Sequence, residues 1–254
     1  AAVAVTSTGW ILSADVSGDV KLWPSIGGGA TRVLRSSFAM DNRWQLSVSA
    51  DGPTAATIQL DAGVMLWRLA DSSRVVLRPG SGRLDLAHLP RSLAVSADGR
   101  RVLLGEYDDS GTLSTIDAES RDLTQVAMNL KSEPGCETSA KPHPDPLFAI
   151  ALSPDGRTLA FQQSNCLVVR DLASDKTLAV LREHPDDFAF RPDGSVLIAS
   201  YPKGRPDETR IRIWDWRADR MRVDIPYPRR SASWNLGQSA DGRRIAMWAG
   251  RGGV

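Results

Sequence analysis

The sequence predicts an all-β fold, a β-propeller of four-stranded antiparallel blades. Three observations predict this fold. A four-residue turn that ends in glycine recurs along the 254 residues, a second marker recurs in the same register, and short apolar runs flank the turns. Repeats of roughly 40–50 residues are typical of proteins in which each unit buries its apolar faces against its neighbours.

The turn glycines are 43, 47, 57, 38 and 48 residues apart, which is close to the ~40–50 residues of one propeller blade. Glycine favours the positive φ that such a turn requires, and an aspartate before it can accept hydrogen bonds from the local backbone. Each turn therefore predicts a β-hairpin between the first and second strands of a blade. The six turns are Thr6–Gly9, Ser49–Gly52, Ser96–Gly99, Ser153–Gly156, Arg191–Gly194 and Ser239–Gly242.

Short apolar runs supply the strands. Ser92–Val95 and Arg101–Leu104 flank one turn, and Ala149–Leu152 and Thr158–Phe161 flank the next. A helix is unfavourable because Gly or Pro interrupts almost every ten-residue window. The predicted third strands are Val20–Trp23, Val64–Trp67, Leu113–Ile116, Leu167–Arg170 and Ile211–Trp214. The predicted fourth strands are Thr31–Leu34, Val75–Leu77, Thr124–Met128, Leu178–Leu181 and Met221–Val223.

The second marker is Trp214-Asp215, at the end of a third strand. The matching positions are Trp23-Pro24, Trp67-Arg68, Ile116-Asp117 and Arg170-Asp171, with spacings of 44, 49, 54 and 44 residues. On these residues the chain resembles a divergent, bacterial-type WD-repeat (WD40-like) β-propeller. It departs from the family pattern where Trp is replaced at 116 and 170 and Asp at 24 and 68. The register predicts that Trp23, Trp67 and Trp214 belong to the core.

The repeats predict five full blades plus a partial sixth within one domain, residues 1–254. After Gly242 there are residues for one more strand, Ile245–Trp248. A half blade would expose a strand edge and an apolar blade face. We therefore expect the domain to be truncated at both ends, with a six- or seven-bladed parent, and the ring to be completed by flanking parts of the parent chain or by another chain.

The composition argues against two classes of partner. Lys and Arg number 31 and Asp and Glu number 30, for a formal net charge of +1. A nucleic-acid-binding protein is expected to gather a basic stripe, and no such stripe is present. No apolar stretch approaches the roughly 20 residues that a membrane-spanning helix requires. The sequence predicts neither nucleic-acid binding nor direct membrane insertion.

The sequence shows no catalytic motif, and we predict no catalytic residue, cofactor or metal. His88, His143 and His184 each fall in a loop that leads into an inner strand. One histidine per blade, without cysteine or carboxylate at ligand spacing, favours a structural role over a zinc site.

The two cysteines occupy connections that a propeller places on one face. Cys136 lies in the long Lys131–Pro146 insertion, and Cys166 lies between the second and third strands of the next blade. A disulfide is geometrically reasonable and would indicate an oxidising compartment. Two separate thiols in a cytosolic protein are the alternative, so the localisation depends on whether the bridge forms. A second insertion, Tyr201–Thr209, falls on the same face.

A candidate partner-binding face follows from the register. Equivalent positions eight residues before each turn glycine should form a ring around the channel mouth. Aromatic and arginine side chains there are typical of protein contact surfaces, whereas packing of the aromatic side chains between blades is the alternative. The candidate residues are Trp44, Arg91, Phe148, Asp186 and Trp234, with Ala1 at the first position.

We expect a non-catalytic scaffold or ligand-sensing domain that binds protein or peptide at this face. Resemblance to WD-repeat propellers implies such a role, in bacteria often within a larger signalling protein. Residues 153–161 also resemble the repeats of periplasmic translocation propellers, so an exported, envelope-associated propeller is an alternative. A hydrolase or lyase with its site at the channel mouth is a further alternative, with Asp186 as its sole carboxylate candidate.

Overall fold

The computed structural model describes residues 2–5, 10–14, 19–24, 30–34, 45–49, 54–59, 63–78, 90, 92–106, 112–127, 133–136, 149–200, 209–227, 234–238, 242–243 and 245–249. Within these ranges all helix and strand assignments are β-strand, and there are 22 strands. Each strand pairs antiparallel with its neighbour in sequence, which gives five four-stranded sheets and one two-stranded sheet. The prediction of an all-β propeller with five full blades and a partial sixth is confirmed.

The first three blades contain β1 (Ala2–Val5), β2 (Ile11–Ala14), β3 (Val20–Trp23), β4 (Arg32–Leu34), β5 (Gln45–Val48), β6 (Thr54–Gln59), β7 (Gly63–Arg68), β8 (Ser73–Arg78), β9 (Ser92–Val95), β10 (Arg101–Gly105), β11 (Thr112–Asp117) and β12 (Leu123–Ala127). The remaining blades contain β13 (Ile150–Leu152), β14 (Thr158–Gln163), β15 (Cys166–Asp171), β16 (Thr177–Leu181), β17 (Pro185–Phe190), β18 (Val196–Ser200), β19 (Thr209–Asp215), β20 (Arg220–Tyr227), β21 (Trp234–Gln238) and β22 (Ile245–Ala249).

The first strands of the sheets surround a common axis. In chain order, β1, β5, β9, β13, β17 and β21 each contact the next, and β21 also contacts β1. The two-stranded sheet β21–β22 therefore occupies the sixth position of a ring and closes it along the inner strands. Closing a sheet array into a ring removes most exposed strand edges.

The aspartate–glycine turns have the predicted conformation. Gly99 and Gly156 have φ values of 73° and 68°, a region that favours glycine because it has no Cβ. The carboxylate of Asp98 accepts hydrogen bonds from the Ser96 hydroxyl at 2.6 Å and the Arg100 N–H at 3.0 Å. Asp155 makes the equivalent contacts with the Ser153 hydroxyl and the Arg157 N–H. The Ser96 hydroxyl and then the Arg100 N–H hold the pKa of Asp98 below its ordinary value.

Residues at the tryptophan position of each third strand face the preceding blade. Trp67 belongs to one apolar cluster with Leu12, Val20 and Leu22 of blade 1, and Trp214 belongs to one with residues of blade 4. Trp67 and Trp214 are 0% and 1% exposed, so their predicted place in the core is confirmed. The core thus consists of apolar layers between successive blades.

Trp23 departs from this pattern, and its predicted place in the core is wrong. It is 42% exposed, although it occupies the same register as Trp67. The preceding sheet in the ring is β21–β22, whose described residues supply two strands where every other sheet supplies four. Register determines which way Trp23 faces, but the neighbouring sheet determines whether it is buried.

Arg170 occupies the tryptophan position of blade 4 and is nevertheless buried. Its guanidinium lies 5.1 Å from the centroid of the Phe161 ring, within the range of a cation–π contact. Its Nη1 is 3.2 Å from Asp175 Oδ1, and its Nη2 is 3.5 Å from Glu133 Oε1. A buried charge requires such partners. Two carboxylates and an aromatic face therefore allow arginine to replace tryptophan.

Candidate functional site

The candidate partner-binding residues lie next to the starts of the inner strands. Trp44 and Arg91 directly precede β5 and β9, and Phe148 is two residues before β13. Asp186 is the second residue of β17, and Trp234 is the first residue of β21. Trp44, Arg91 and Phe148 fall outside the described residues, as do His88 and His143. Of the five candidates, side-chain geometry is described for Asp186 alone, and the ring of contact residues remains a prediction.

Asp186 lies beside a histidine at this face. The Nδ1 atom of His184 is 4.0 Å from Asp186 Oδ1. The Nε2 atom of His184 is 3.0 Å from the side-chain nitrogen of Gln162. The His184 ring thus lies between the Gln162 side-chain amide on one side and the Asp186 carboxylate on the other. His184 therefore connects blade 4 to the start of blade 5.

Asp187, which the sequence did not single out, joins the inner strands of two sheets. Its Oδ2 atom accepts a hydrogen bond from the Leu236 N–H of β21 at 2.6 Å. Its Oδ1 atom accepts from the Phe188 N–H at 2.8 Å. The register of β17 shifts between Pro185 and Asp187, which places two adjacent acidic residues at one irregularity. The sequence feature that could have identified Asp187 is the pair of adjacent acidic residues, Asp186-Asp187, at the start of an inner strand.

The environment of Asp187 disfavours its charge. Part of the residue surface remains accessible, but burial of the carboxyl raises its pKa from 3.8 to about 6. The hydrogen bonds from Leu236 and Phe188 oppose this effect, and the negative charge of Asp186 adds to it. The folded state thus holds the Asp187 proton more tightly than the unfolded chain does.

We expect Asp187 to make the folded state less stable as the pH rises from about 4 to about 6. Between these values the folded state binds more protons than the unfolded state, so the free energy of unfolding falls with pH. After allowance for partial exposure, the loss is roughly 1–2 kcal/mol. Between pH 4.5 and pH 7, urea unfolding should show the stability of the wild type falling by this amount relative to that of Asp187→Asn, in which the other carboxylates titrate as before.

Asp224→Asn is the matched control for this prediction. Burial opposes its ionisation, but hydrogen bonds from Arg210 and Arg212 prevail and lower the pKa of Asp224, which places its titration below the tested range. Asp224→Asn should therefore keep the wild-type difference between pH 4.5 and pH 7. An equal pH dependence in wild type and Asp187→Asn would contradict the assignment.

A disulfide anchors part of the first insertion near the same face. The sulfur atoms of Cys136 and Cys166 are bonded, with their Cα atoms 5.5 Å apart, and both residues are buried. The bridge lies in the apolar cluster between blades 3 and 4, beside Leu113, Phe161 and Val168. Segment 133–136 is therefore packed against the molecule rather than projecting from it.

Polar contacts hold the same segment along blade 4. The Glu133 N–H donates to Gln163 Oε1 at 3.2 Å, and the Thr177 hydroxyl donates to the Glu133 carboxylate. The Arg182 guanidinium donates to the Pro134 carbonyl at 3.3 Å. Gln163 and Arg182 lie at the end of blade 4 where β17 begins. Segment 133–136 is thus fixed at the rim of the candidate face.

Side chains in the described ranges do not form a metal centre. No group of three or more His, Cys, Asp or Glu residues there could hold a metal ion. None of the described residues belongs to a helix with the length and hydropathy that crossing a bilayer demands. The arrangement that the structure does show is a ring of strands with hydrogen-bonded polar groups at one end and apolar layers between blades.

Comparisons with known proteins place this ring among solved propellers. No protein-family model and no curated protein matches the sequence. A chain of the mitotic checkpoint complex aligns with a TM-score of 0.59 and 14% identity over 98% of this chain and 83% of its own. The β-propeller domain of Cps50 (Swd1) from Myceliophteria thermophila aligns with a TM-score of 0.58 and 16% identity over 98% and 96%. The chain therefore has a WD40-type β-propeller fold.

Proposed function

We propose that this chain is a non-catalytic scaffold that binds protein or peptide at the face around its channel mouth. The observation that carries the proposal is the ring itself, because six inner strands bring their first residues to one end of a rigid body. Binding residues are commonly placed on the loops of such a scaffold. One chain with a similar fold comes from the mitotic checkpoint complex.

The candidate contact residues give this face a suitable chemistry. Trp44, Phe148 and Trp234 would supply apolar anchors, and Arg91 and Asp186 would supply charge. Aromatic and arginine residues dominate binding energy in protein interfaces. Segment 133–136, which the disulfide anchors, borders the face and would extend it. As the sequence resemblance implies, we place the domain in a larger bacterial signalling protein.

Substitution at this face tests the proposal. Trp44→Ala and Trp234→Ala should keep the wild-type circular dichroism and melting temperature but lose at least about tenfold in captured partner, because hot-spot truncations remove 1.4 kcal/mol or more of binding energy. Capture on immobilised protein followed by quantitative mass spectrometry measures the loss. Leu123→Ala and Leu178→Ala, at exposed positions on fourth strands, are matched controls that should retain capture.

Two outcomes would contradict this proposal. Severe unfolding of the Trp44 and Trp234 variants would identify both residues as packing residues between blades. Unchanged capture by folded variants would show that the partner binds elsewhere.

The disulfide favours a second candidate, an exported propeller of the envelope-associated type. Buried disulfides form and persist in oxidising compartments and are rare in the cytosol. Alkylation of the protein before reduction, in cells that produce it naturally, should leave Cys136 and Cys166 unmodified in the mass spectrum. Two alkylated cysteines would refute the exported form and leave the scaffold proposal intact.

A further inference from the structure

Two side chains join β17 to β21, although these inner strands belong to different sheets. The Asp187 carboxylate accepts a hydrogen bond from the Leu236 N–H. The Gln238 side-chain amide donates to the Phe190 carbonyl. Because the two strands are not paired in one sheet, these bonds supply the polar contacts that fix β21 along β17. Both bonds lie close to Trp234, the first residue of β21.

A shift in register aims the Asp187 side chain at β21. Between Pro185 and Asp187, β17 contains one residue more than β18 opposite it, so the strand bulges at Asp186. Bulges re-aim side chains and often lie next to functional sites. The Phe188 N–H donates to Asp187 Oδ1 at 2.8 Å, which leaves Oδ2 directed at the Leu236 N–H. The carboxylate is thus held through both of its oxygens.

The contact between β5 and β9 contains a neutral form of the same link. The Ser47 hydroxyl of β5 accepts from the Val95 N–H of β9 at 3.0 Å. The Asp187 carboxylate accepts from β21 at 2.6 Å. In both cases a side chain of one inner strand binds a backbone N–H of the next inner strand. A charged acceptor forms the shorter and stronger bond, and a carboxyl group titrates whereas a serine hydroxyl does not.

The strands packed against β17 do not compensate the charge of Asp187. These strands are β13, β18 and β21, and their residues include no Asp, Glu, His, Lys or Arg. At the start of β17, Asp186 adds negative charge. His184 lies beside Asp186, and Glu183 is paired with Arg212. The position therefore suits a buried hydrogen-bond acceptor better than a free charge, in agreement with the raised pKa of Asp187.

We propose that Asp187 is a positioning residue for partner binding, because it fixes the backbone of β21 and thereby the place of Trp234 at the channel mouth. This inference rests on the proposed function, in which Trp234 is a contact residue. Asp187 is directed at the backbone of the ring and acts on the partner only through β21. Fixing a contact residue before binding reduces the conformational entropy that binding loses.

Hydrogen exchange on the full chain tests the hold on β21. Release of β21 would expose Asp187 to water and return its pKa from about 6 toward 3.8, so the closed strand binds the proton more tightly. After correction for intrinsic exchange rates, protection of residues 234–238 should be roughly three- to tenfold higher at pH 5 than at pH 7. Residues 92–95, which the neutral Ser47 holds, should show no such change.

Two substitutions of Asp187 separate the hydrogen bond from the charge. In Asp187→Asn the amide oxygen can still accept from Leu236 but does not titrate. This variant should keep the protection of residues 234–238 to within about threefold and lose its pH dependence. Asp187→Ala removes the acceptor, and protection should fall by about tenfold or more. Ser47→Ala is the matched control, because it removes the comparable bond to β9 and should leave residues 234–238 unchanged.

Partner capture on the immobilised protein decides whether the hold on β21 serves binding. Asp187→Ala should reduce capture, Asp187→Asn should restore most of it, and Ser47→Ala should retain it. Combined with Trp234→Ala, Asp187→Ala should cause no further loss, since it acts through that residue. Additive losses, or equal pH dependence in residues 92–95 and 234–238, would overturn the positioning role. Unchanged capture by folded Trp234→Ala would instead refute the proposed function, and the exchange result would still show whether Asp187 holds β21.

Discussion

Replacement of both bridging cysteines, Cys136→Ala with Cys166→Ala, is expected to lower the free energy of unfolding by about 3.5 kcal/mol. The bridge closes a loop across 30 residues, and the loss of that constraint increases the entropy of the unfolded chain by this amount. Both side chains are also buried in the cluster between blades 3 and 4, so truncation removes apolar contacts there. Urea unfolding of the wild type and of the double variant, each with and without a reductant, measures the effect.

Arg182→Ala is the matched control for the bridge. Arg182 contacts the same segment through the Pro134 carbonyl, but its side chain is exposed and crosses no apolar layer. Its removal should change stability by less than about 1 kcal/mol. A loss below 1 kcal/mol in the double cysteine variant, or no effect of reductant on the wild type, would show that the bridge does not constrain the unfolded chain.

The repeated turns suffice to predict the fold because their determinants are local. A positive φ favours glycine, and the preceding aspartate accepts the same pair of hydrogen bonds at Asp98 and Asp155. Alternation along a strand then determines which side chains face each neighbour. With the spacing of the glycines, these local rules predict the blades, their order and the orientation of each third strand.

The exposure of Trp23 illustrates what local rules omit. Its register is that of Trp67, and even its indole hydrogen bond has the same form. Burial, however, depends on strands supplied by the neighbouring sheet, which no pattern within blade 1 encodes. The same limit applies to Arg170, whose burial depends on Glu133 from a distant insertion and on Asp175.

The candidate face is predicted less completely than the fold. A fixed distance from each glycine identifies Asp186, but the irregularity in β17 makes its neighbour Asp187 the residue that reaches β21. A one-residue shift changes which side chain faces inward. Contacts between sheets at inner-strand starts therefore require the three-dimensional register, whereas the positions of those starts follow from the repeat.

Trp67→Ala is expected to lower the free energy of unfolding by about 3–5 kcal/mol, the usual effect of truncating a large buried aromatic side chain. Trp67 is fully buried in the cluster that contains Leu12, Val20 and Leu22, and its indole N–H donates to Thr57. The cavity left by the indole would lie in the apolar cluster between blades 1 and 2 and would remove packing contacts between them. Chemical denaturation monitored by far-ultraviolet circular dichroism measures the loss.

Trp23→Ala provides an internal control of matched residue type, register and hydrogen bonding. Because Trp23 is 42% exposed, its truncation should lower the free energy of unfolding by about 1 kcal/mol. The two variants differ in one physical respect, the sheet that covers the indole. Equal losses would mean that Trp23 is buried in solution and would contradict an open junction at the sixth position.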